Sequence, residues 1–218
     1  MHLSAHSKVA DAVARHLPRY TNPRVLDFGS RMVANQKVSH RQLFDDSECQ
    51  YIGTDVVEGL NVDVVMPEPY SLPFGDDSFQ IIVTGQVIEH IPYPWISMME
   101  LGRILAPGGV IICTAPSRGH IHNPPYDAWR FYPDSFRALA TWSGLTVAEL
   151  SADLPATRSE KSKYLDYPSI HDDAYWGDCF GVFSKDDDYP VEELREVRHM
   201  MQRSANRRSD LDEIKPLG

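Results

Sequence analysis

The chain of 218 residues has only three cysteines, and they lie far apart in sequence. Cys49, Cys113 and Cys179 form no C-x-x-C pair, so the sequence offers neither a zinc site nor a disulfide framework. Cys113 and Cys179 fall in apolar or strand-like runs, where buried free thiols are common. We therefore expect structural thiols and a reducing compartment.

Long apolar stretches and an excess of basic residues are also missing. No run approaches the roughly 18 to 20 apolar residues of a membrane span, and polar residues stand at the N-terminus where a signal peptide needs an apolar core. The formal net charge of -10 disfavours binding to DNA or RNA, because phosphates require a basic surface. We therefore expect a cytoplasmic protein with a small-molecule substrate and no nucleic-acid or membrane partner.

The sequence does contain an alternation of apolar runs with helical patterns. The apolar runs predict seven strands, at 24–28, 51–55, 62–65, 79–84, 110–114, 145–150 and 178–184. Helical patterns cover 4–17, 95–105, 133–143 and 190–204, and 33–45 is predicted to be a helix or an irregular helical segment. This alternation predicts an α/β fold with a doubly wound, Rossmann-like sheet and helices on both faces. No helical pattern separates the last two strands, so we expect a mostly parallel sheet with an antiparallel edge strand.

The predicted strands define one domain over residues 1–184, and residues 185–218 form a charged tail with a helix and a disordered end. Apolar residues of this helix have the spacing of a face that contacts another helix: Val191, Leu194, Val197 and Met201. We expect the helix to pack against its own domain, and a homodimer is the alternative.

Two carboxylates follow strands at the edge where an open α/β sheet binds ligands. In VLDFGSR, residues 25–31, Asp27 ends a strand and Gly29 lies in the next turn. Glycine lets a ligand approach the backbone closely, and free amides at the start of a following helix would favour anionic groups. Asp55 ends the second strand, where a carboxylate can hold both hydroxyls of a ribose. Taken alone, each of these residues could equally serve the turn in which it lies.

With these residues identified, the chain from about 23 to 150 resembles the class I S-adenosylmethionine-dependent methyltransferases. Four stretches carry the resemblance in the family's order: VLDFGSR, YIGTDV, SLPFGDDSFQIIVTGQVIEHI and LGRILAPGGVIICTAP. The resemblance implies that S-adenosyl-L-methionine is the cofactor, with Asp27, Gly29 and Ser30 along its methionine part. It also implies that Asp55 holds the ribose and that Gln86 faces the cofactor.

The first loop departs from the commonest form of that family. Most members continue it as D-x-G-x-G, whereas Ser30 and Arg31 stand here. A subset of relatives carries a GSR-type loop followed by an asparagine-containing turn, similar to GSRMVAN. No G-x-G-x-x-G motif follows the first strand, which disfavours an NAD-dependent oxidoreductase.

Glu89 and His90 follow the fourth strand and share one helical turn with Gln86, at positions i, i+3 and i+4. Some relatives that methylate phenols hold a metal with carboxylates and a histidine in this region. Because Gln86 replaces one expected carboxylate, we expect no metal. Glu89 and His90 would instead shape the floor of the acceptor pocket.

A second block, GHIHNPPYDAWRFYP at 119–133, resembles the H-x-P-Y-D-Y-W-R-F-T-P block of bacterial methyltransferases that often look like glycan or natural-product enzymes. A loop at this position would face the methyl group of the cofactor. We expect it to bind a polar acceptor through His120, Tyr126 and Arg130. In the structural alternative, aromatic residues of the block anchor the core and Arg130 forms an ion pair with Asp127.

These observations predict a methyltransferase that acts on a small molecule, with a hydroxyl of a sugar or natural product as acceptor. Such a hydroxyl is a weak nucleophile and benefits from a base within about 3 Å, and histidine is suited to that role near neutral pH. We predict His122, or failing that His90, as the base. The alternatives are a non-catalytic cofactor-binding or scaffolding module of the same fold, and an NAD-dependent oxidoreductase.

Overall fold

The computed structural model describes residues 3–33, 36–122, 126–153 and 176–206. The α-helices in these residues are α1 (Leu3–His16), α2 (Pro94–Ile104), α3 (Pro133–Ser143) and α4 (Val191–Asn206). The strands are β1 (Arg24–Phe28), β2 (Gln50–Asp55), β3 (Val64–Val65), β4 (Phe79–Gly85), β5 (Leu105–Arg118), β6 (Thr146–Ala152) and β7 (Gly177–Ser184). Each of the seven predicted strands is therefore present.

The strands form one sheet in the order β3-β2-β1-β4-β5-β7-β6. Strands β1 to β5 pair in parallel, and β7 runs antiparallel to both β5 and β6. The predicted fold class, with antiparallel pairing at one edge, is confirmed. The chain order reverses between β1 and β4, so a crevice lies at the carboxyl ends of these two strands, where such folds bind ligands.

The central strands are mostly apolar because both faces of the sheet are covered. Val83 and Ile112 belong to the core that includes α1, whereas Ile82 and Ile111 belong to the core that includes α2 and α3. Alternate side chains along each strand therefore enter different cores. Helices lie on both faces, as predicted.

Helix α3 shows why its bounds could be read from the sequence. It begins at Pro133, a residue whose fixed φ suits the first helical position, and it ends before Gly144. Gly144 has a φ of +68°, in the left-handed region that ends many helices.

The connection from β1 to β2 differs from the prediction. We expected a helix or irregular helical segment at 33–45, but the described residues there contain one turn of 3-10 helix, Arg41–Leu43. The physical reason is that Val33, Val38 and Leu43 are five residues apart, so they cannot form one apolar helix face. The loop is instead fixed by polar contacts, including a hydrogen bond from Arg41 Nε to the Asn61 side chain at 2.6 Å.

The tail helix α4 lies against the same domain. Met201 and Ala205 pack on the core of α2 and α3. Lys185, just before the helix, is buried and donates from Nζ to Asp77 at 2.6 Å and to the Leu105 carbonyl at 2.7 Å. The division of the chain at residue 185 stays a prediction. Among the described helices, none is both long enough and apolar enough to span a membrane.

Candidate functional site

Gly29 forms the turn that opens the crevice. Its φ is +81°, and a Cβ at this position would lie 2.3 Å from a side-chain carbon of Val87, so no larger residue fits without a shift. The amides of Gly29 and Ser30 both donate to the Thr54 carbonyl, at 2.8 and 2.9 Å. The turn therefore lets a ligand approach closely, but these two amides are not free to bind phosphates as a helix N-terminus does.

Asp27 lies beneath this turn with 2% of its surface exposed. Its Oδ1 accepts a hydrogen bond from Nδ1 of His40 at 2.9 Å, and its Oδ2 accepts one from the Tyr51 hydroxyl at 2.5 Å. Burial and the neighbouring Asp27 raise the pKa of Tyr51 above its ordinary value, so the phenol keeps its proton and donates. Both oxygens of the predicted methionine contact are thus already bonded by protein groups.

His40 is a site residue that sequence reasoning missed. It is 5% exposed, its Nε2 has no hydrogen-bond partner among the described residues, and its ring is stacked on that of His6 with centroids 6.3 Å apart. The only signal in the sequence was a histidine in a polar segment. His40 comes just before one turn of 3-10 helix, Arg41–Leu43, which is too short to have a repeating pattern, so no spacing rule could place it beside Asp27.

Asp55 ends β2 and is partly exposed. Its Oδ1 accepts from the amide of Val57 at 3.1 Å, and its Oδ2 accepts from the amide of Arg31 at 3.3 Å. These bonds orient the carboxylate, and each oxygen keeps a further lone pair for a ligand hydroxyl. The geometry is compatible with the predicted ribose contact.

The side chains of Ser30 and Gln86 are engaged within the protein. The Ser30 hydroxyl donates to the Asn61 carbonyl at 2.8 Å, and Nε2 of Gln86 donates to Asp178 at 3.1 Å. The two side chains therefore hold the loops around the crevice. Their predicted contacts with the cofactor stay predictions.

Taken together, the crevice suits an adenosyl amino acid better than a dinucleotide. It offers a carboxylate for a ribose at Asp55, close backbone approach at Gly29 and a buried ring nitrogen at His40. In the described part of the β1–β2 connection, no α-helix begins whose N-terminus could receive a pyrophosphate.

A second group of residues lies after β4, in the short 3-10 turn Ile88–His90. Nδ1 of His90 donates to the main-chain carbonyl of Tyr126 at 2.6 Å, and its Nε2 lies 3.6 Å from Oε1 of Glu89. The Glu89 side chain is fully buried, and neither oxygen has a hydrogen-bond partner among the described residues. Burial raises the pKa of Glu89 to about 8.

Asp127 organises the loop after β5. Its carboxylate accepts two bonds from Arg130, at 2.5 and 2.7 Å, and one from the main-chain amide of His122 at 2.8 Å. Burial alone would raise the pKa of Asp127, but the hydrogen bonds from Arg130 and from the His122 amide, together with the charge of Arg130, lower the pKa to about 2. The ion pair considered from the sequence is confirmed, and Arg130 also donates to the His120 carbonyl at 2.8 Å.

The structure brings the two candidate bases together. The rings of His90 and His122 are 5.0 Å apart in a T-shaped arrangement, and Nδ1 of His122 lies 3.1 Å from the Asp127 carboxylate. Burial lowers the pKa of His122 below its ordinary value, although Asp127 acts in the opposite direction. The His122 ring is therefore neutral near pH 7 and can accept a proton.

Aromatic rings lie beside these histidines. The Trp176 ring is 4.6 Å from that of His120, which is exposed, and 5.2 Å from that of His122. Phe131 is buried in the core, as the structural alternative expected, whereas Trp129 is 38% exposed and donates from Nε1 to the Ile91 carbonyl. Of the predicted substrate residues, His120 is exposed, and Tyr126 and Arg130 are partly buried.

Glu89, His90 and His122 each offer one ligand atom within 4.8 Å of the others, so by residue type they could hold a divalent metal ion. The sequence predicted none, on the ground that Gln86 stands where a carboxylate would be expected. The amide of the Gln86 side chain is bonded to Asp178, and the third residue of the group, His122, comes from the other loop.

Comparisons with known proteins agree with this geometry. Residues 8–113 match the family described as "Methyltransferase domain". Demethylmenaquinone methyltransferases of Staphylococcus haemolyticus (strain JCSC1435) and Staphylococcus aureus (strain JH9) are each 33% identical over 58 residues, which is 27% of this chain. The matched region spans about a quarter of these curated relatives, 24% of their length.

Two solved structures share the fold. The [4+2]-cyclase SpnF has a TM-score of 0.61 and 16% identity over 84% of this chain and 82% of its own. Phosphoethanolamine N-methyltransferase 2 of Haemonchus contortus, in complex with S-adenosyl-L-methionine, has a TM-score of 0.55 and 17% identity over 84% of this chain and 53% of its own. The strand order and the matched family lead to one assignment: residues 8–113, just under half of the chain, belong to a class I S-adenosylmethionine-dependent methyltransferase domain, and members of that family are enzymes that use S-adenosyl-L-methionine.

Proposed function

We propose that this protein transfers the methyl group of S-adenosylmethionine to a hydroxyl of a polar small molecule, a sugar or a natural product. The observation that carries the proposal is the pairing of His90 and His122, with rings 5.0 Å apart, next to a buried carboxyl group. We also propose a cytoplasmic location, which the free thiols of the buried residues Cys113 and Cys179 support.

When bound, the cofactor supplies an electrophilic methyl group on a sulfonium. The residues of the chain then have two tasks, to hold the acceptor oxygen in line with that methyl group and to remove the hydroxyl proton. Alignment alone contributes up to about 7 to 11 kcal/mol in well-oriented reactions. The acceptor oxygen forms the new bond to carbon, the sulfur keeps the electron pair of the broken bond, and the products are a methyl ether and S-adenosylhomocysteine.

His122 is the base in this proposal. Its Nδ1 lies 3.1 Å from an Asp127 oxygen but makes no hydrogen bond among the described residues; a small rotation of the ring would let Nδ1 donate to Asp127 and leave Nε2 to take the acceptor proton. Asp127 then stabilises the imidazolium that forms, as a carboxylate does in other Asp–His pairs. His90 is the second candidate, because its Nδ1 proton is committed to the Tyr126 carbonyl.

The loop after β5 supplies the acceptor contacts in this proposal. Arg130 is clamped to Asp127 and to the His120 carbonyl, so it orders the loop as well as presenting charge to a ligand. His120 and Tyr126 offer polar contacts, and the ring of Trp176 offers an apolar face to a sugar or an aromatic ring.

The experiment is a transfer assay with S-adenosylmethionine and matched sets of sugar, phenol and amine acceptors. Release of S-adenosylhomocysteine and a product mass gain of one methylene report the reaction. We expect turnover with hydroxyl acceptors. Turnover confined to amine acceptors would overturn the hydroxyl assignment.

The main alternative keeps the fold and cofactor pocket without methyl transfer, as a binding or scaffolding module. The likeness to SpnF, which is a [4+2]-cyclase on the same fold, is the observation that favours keeping this candidate. It predicts tight binding of S-adenosylmethionine without S-adenosylhomocysteine release for any acceptor. An NAD-dependent oxidoreductase is disfavoured, because the Gly29 and Ser30 amides are bonded to Thr54.

A further inference from the structure

We infer that His40 binds the amino-acid end of S-adenosylmethionine, with its Nε2 accepting a hydrogen bond from the α-ammonium group. Asp27 then acts through His40 as a positioning residue and does not hold the ammonium group directly. The inference depends on the cofactor of the family and is independent of which acceptor is methylated.

The first step concerns Asp27, the acidic residue at the end of β1. Its two oxygens receive one proton donor each, the His40 ring at 2.9 Å and the Tyr51 hydroxyl at 2.5 Å. Each oxygen of Asp27 therefore already has a donor, whereas Nε2 of the adjoining His40 ring has no partner among the described residues. Nε2 of His40 is therefore the atom of this group that we assign to the cofactor.

The second step concerns the proton on the His40 ring. A carboxylate oxygen only accepts, so Nδ1 carries the proton of the bond to Asp27, and Nε2 keeps its lone pair in the neutral ring. Nε2 is buried and has no hydrogen-bond partner among the described residues. A buried acceptor without a partner costs about 1 to 3 kcal/mol, which favours a donor at this atom when the site is filled.

The third step locates Nε2 in the fold. It lies beside Gly85, the last residue of β4, where a Cβ would come within 3.0 Å of Nε2 and 3.1 Å of the Thr114 hydroxyl oxygen. Glycine at this position therefore makes room for the imidazole edge. This is the carboxyl end of β4, next to the switch point of the sheet where ligands of such folds bind.

The ring plane is fixed before a ligand arrives. The His6 ring is stacked on the His40 ring, with an interplanar angle of 11°, and Nε2 of His6 donates to the Ser39 carbonyl at 3.3 Å. A ring held by stacking on one side and by Asp27 on its edge loses little freedom on binding, which favours affinity.

The ammonium group is the partner that fits this ring. The unprotonated nitrogen of a neutral imidazole can only accept, and the ammonium is the donor that the amino-acid end of the cofactor carries. The bond from Nδ1 to Asp27 makes Nε2 a better acceptor, as it does for histidines that a carboxylate orients. A bond from a charged donor is stronger than a neutral one.

The test is calorimetric titration with three compounds: S-adenosylhomocysteine, its decarboxylated analogue, which keeps the amine, and 5′-methylthioadenosine, which lacks the amino-acid end. His40→Asn keeps a donor for Asp27 and removes Nε2, whereas His40→Gln places an amide near the Nε2 position. We expect His40→Asn to raise the dissociation constants of the first two compounds roughly 10- to 100-fold and to leave that of 5′-methylthioadenosine unchanged. His40→Gln should recover part of the loss.

Each other result would overturn the inference. Equal loss of affinity for all three compounds would mean that His40 only supports the fold. Loss of affinity for S-adenosylhomocysteine alone would mean that Nε2 contacts the carboxylate of the ligand. Unchanged binding of all three compounds would show that His40 does not contact the ligand. Failure of the unsubstituted protein to bind any of them would instead refute the cofactor assignment, which keeps the two failures distinct.

Discussion

Nδ1 of His90 donates to the main-chain carbonyl of Tyr126 at 2.6 Å, a bond that spans 36 residues of sequence. It ties the turn after β4 to the loop after β5 and sets the orientation of the His90 ring. As a result, His90 lies in ring contact with His122, and its Nε2 lies 3.6 Å from Glu89. The proposed chemistry depends on this corner of the molecule.

Replacing the proposed base should reduce the rate without affecting the cofactor. We expect His122→Ala to lower kcat roughly 100- to 10,000-fold, because general-base catalysis contributes about that much. The dissociation constant of S-adenosylhomocysteine should stay unchanged. His199→Ala, at an exposed position on α4, is the matched control. Full activity in both His122→Ala and His90→Ala would rule out a histidine as the general base.

The pH dependence of kcat follows from the lowered pKa of His122. The base works unprotonated, so the rate is lost as pH falls through that pKa, which lies below the ordinary 6.5. We expect a flat rate from pH 8 to about 7 and a decline only in the acid range. A change in kcat near pH 8 would contradict this expectation, and it would identify Glu89, whose pKa is about 8, as the titrating group.

Treatment with a chelator tests whether Glu89, His90 and His122 bind a metal ion. If Glu89, His90 and His122 act as a base and its neighbours, treatment with a chelator should leave kcat unchanged. The physical reason is that proton transfer needs a free ring nitrogen, whereas a metal would occupy it. Loss of activity that zinc or manganese restores would make these residues ligands and would contradict the expectation of a metal-free site.

Gly29 should tolerate no side chain. At Gly108, where φ is +72° and no atom of the described residues lies within 4 Å of a Cβ, alanine should cost about 1 to 2 kcal/mol of unfolding free energy from backbone strain alone. Gly29→Ala should cost more, because its Cβ would also overlap Val87. Denaturant unfolding of the two variants measures the difference. Equal losses would show that Val87 moves aside without cost.

Much of the fold could be predicted because local signals coincided with tertiary burial. The strand from Arg24 to Phe28 has the same bounds in sequence and structure, because a short, mostly apolar run that breaks at Gly29 is typical of a buried strand. Helix α3 was equally clear, because Pro133 and Gly144 mark its two ends.

The site was harder to predict, because its contacts join loops without a repeating pattern. No periodicity links His40 to Asp27, and none links His122 to His90. Gln86 is predicted to face the cofactor, and that stays a prediction; nothing in the sequence indicates that its side-chain amide is bonded to Asp178 at the start of β7. Sequence could identify the strand ends that build the crevice, whereas the direction of each side chain depends on the loops packed around it.

The crevice at the carboxyl ends of β1, β2 and β4 is tested most directly by calorimetric titration with S-adenosylhomocysteine. We predict micromolar binding to the unsubstituted protein and no binding of NAD. Asp55→Ala should weaken the binding of S-adenosylhomocysteine roughly 10- to 100-fold, because it removes charge-assisted hydrogen bonds to the ribose. The control is Glu58→Ala, at an exposed position nearby, which should leave this binding unchanged. An unsubstituted protein that fails to bind S-adenosylhomocysteine, or an Asp55→Ala variant that binds it equally well, would contradict the assignment.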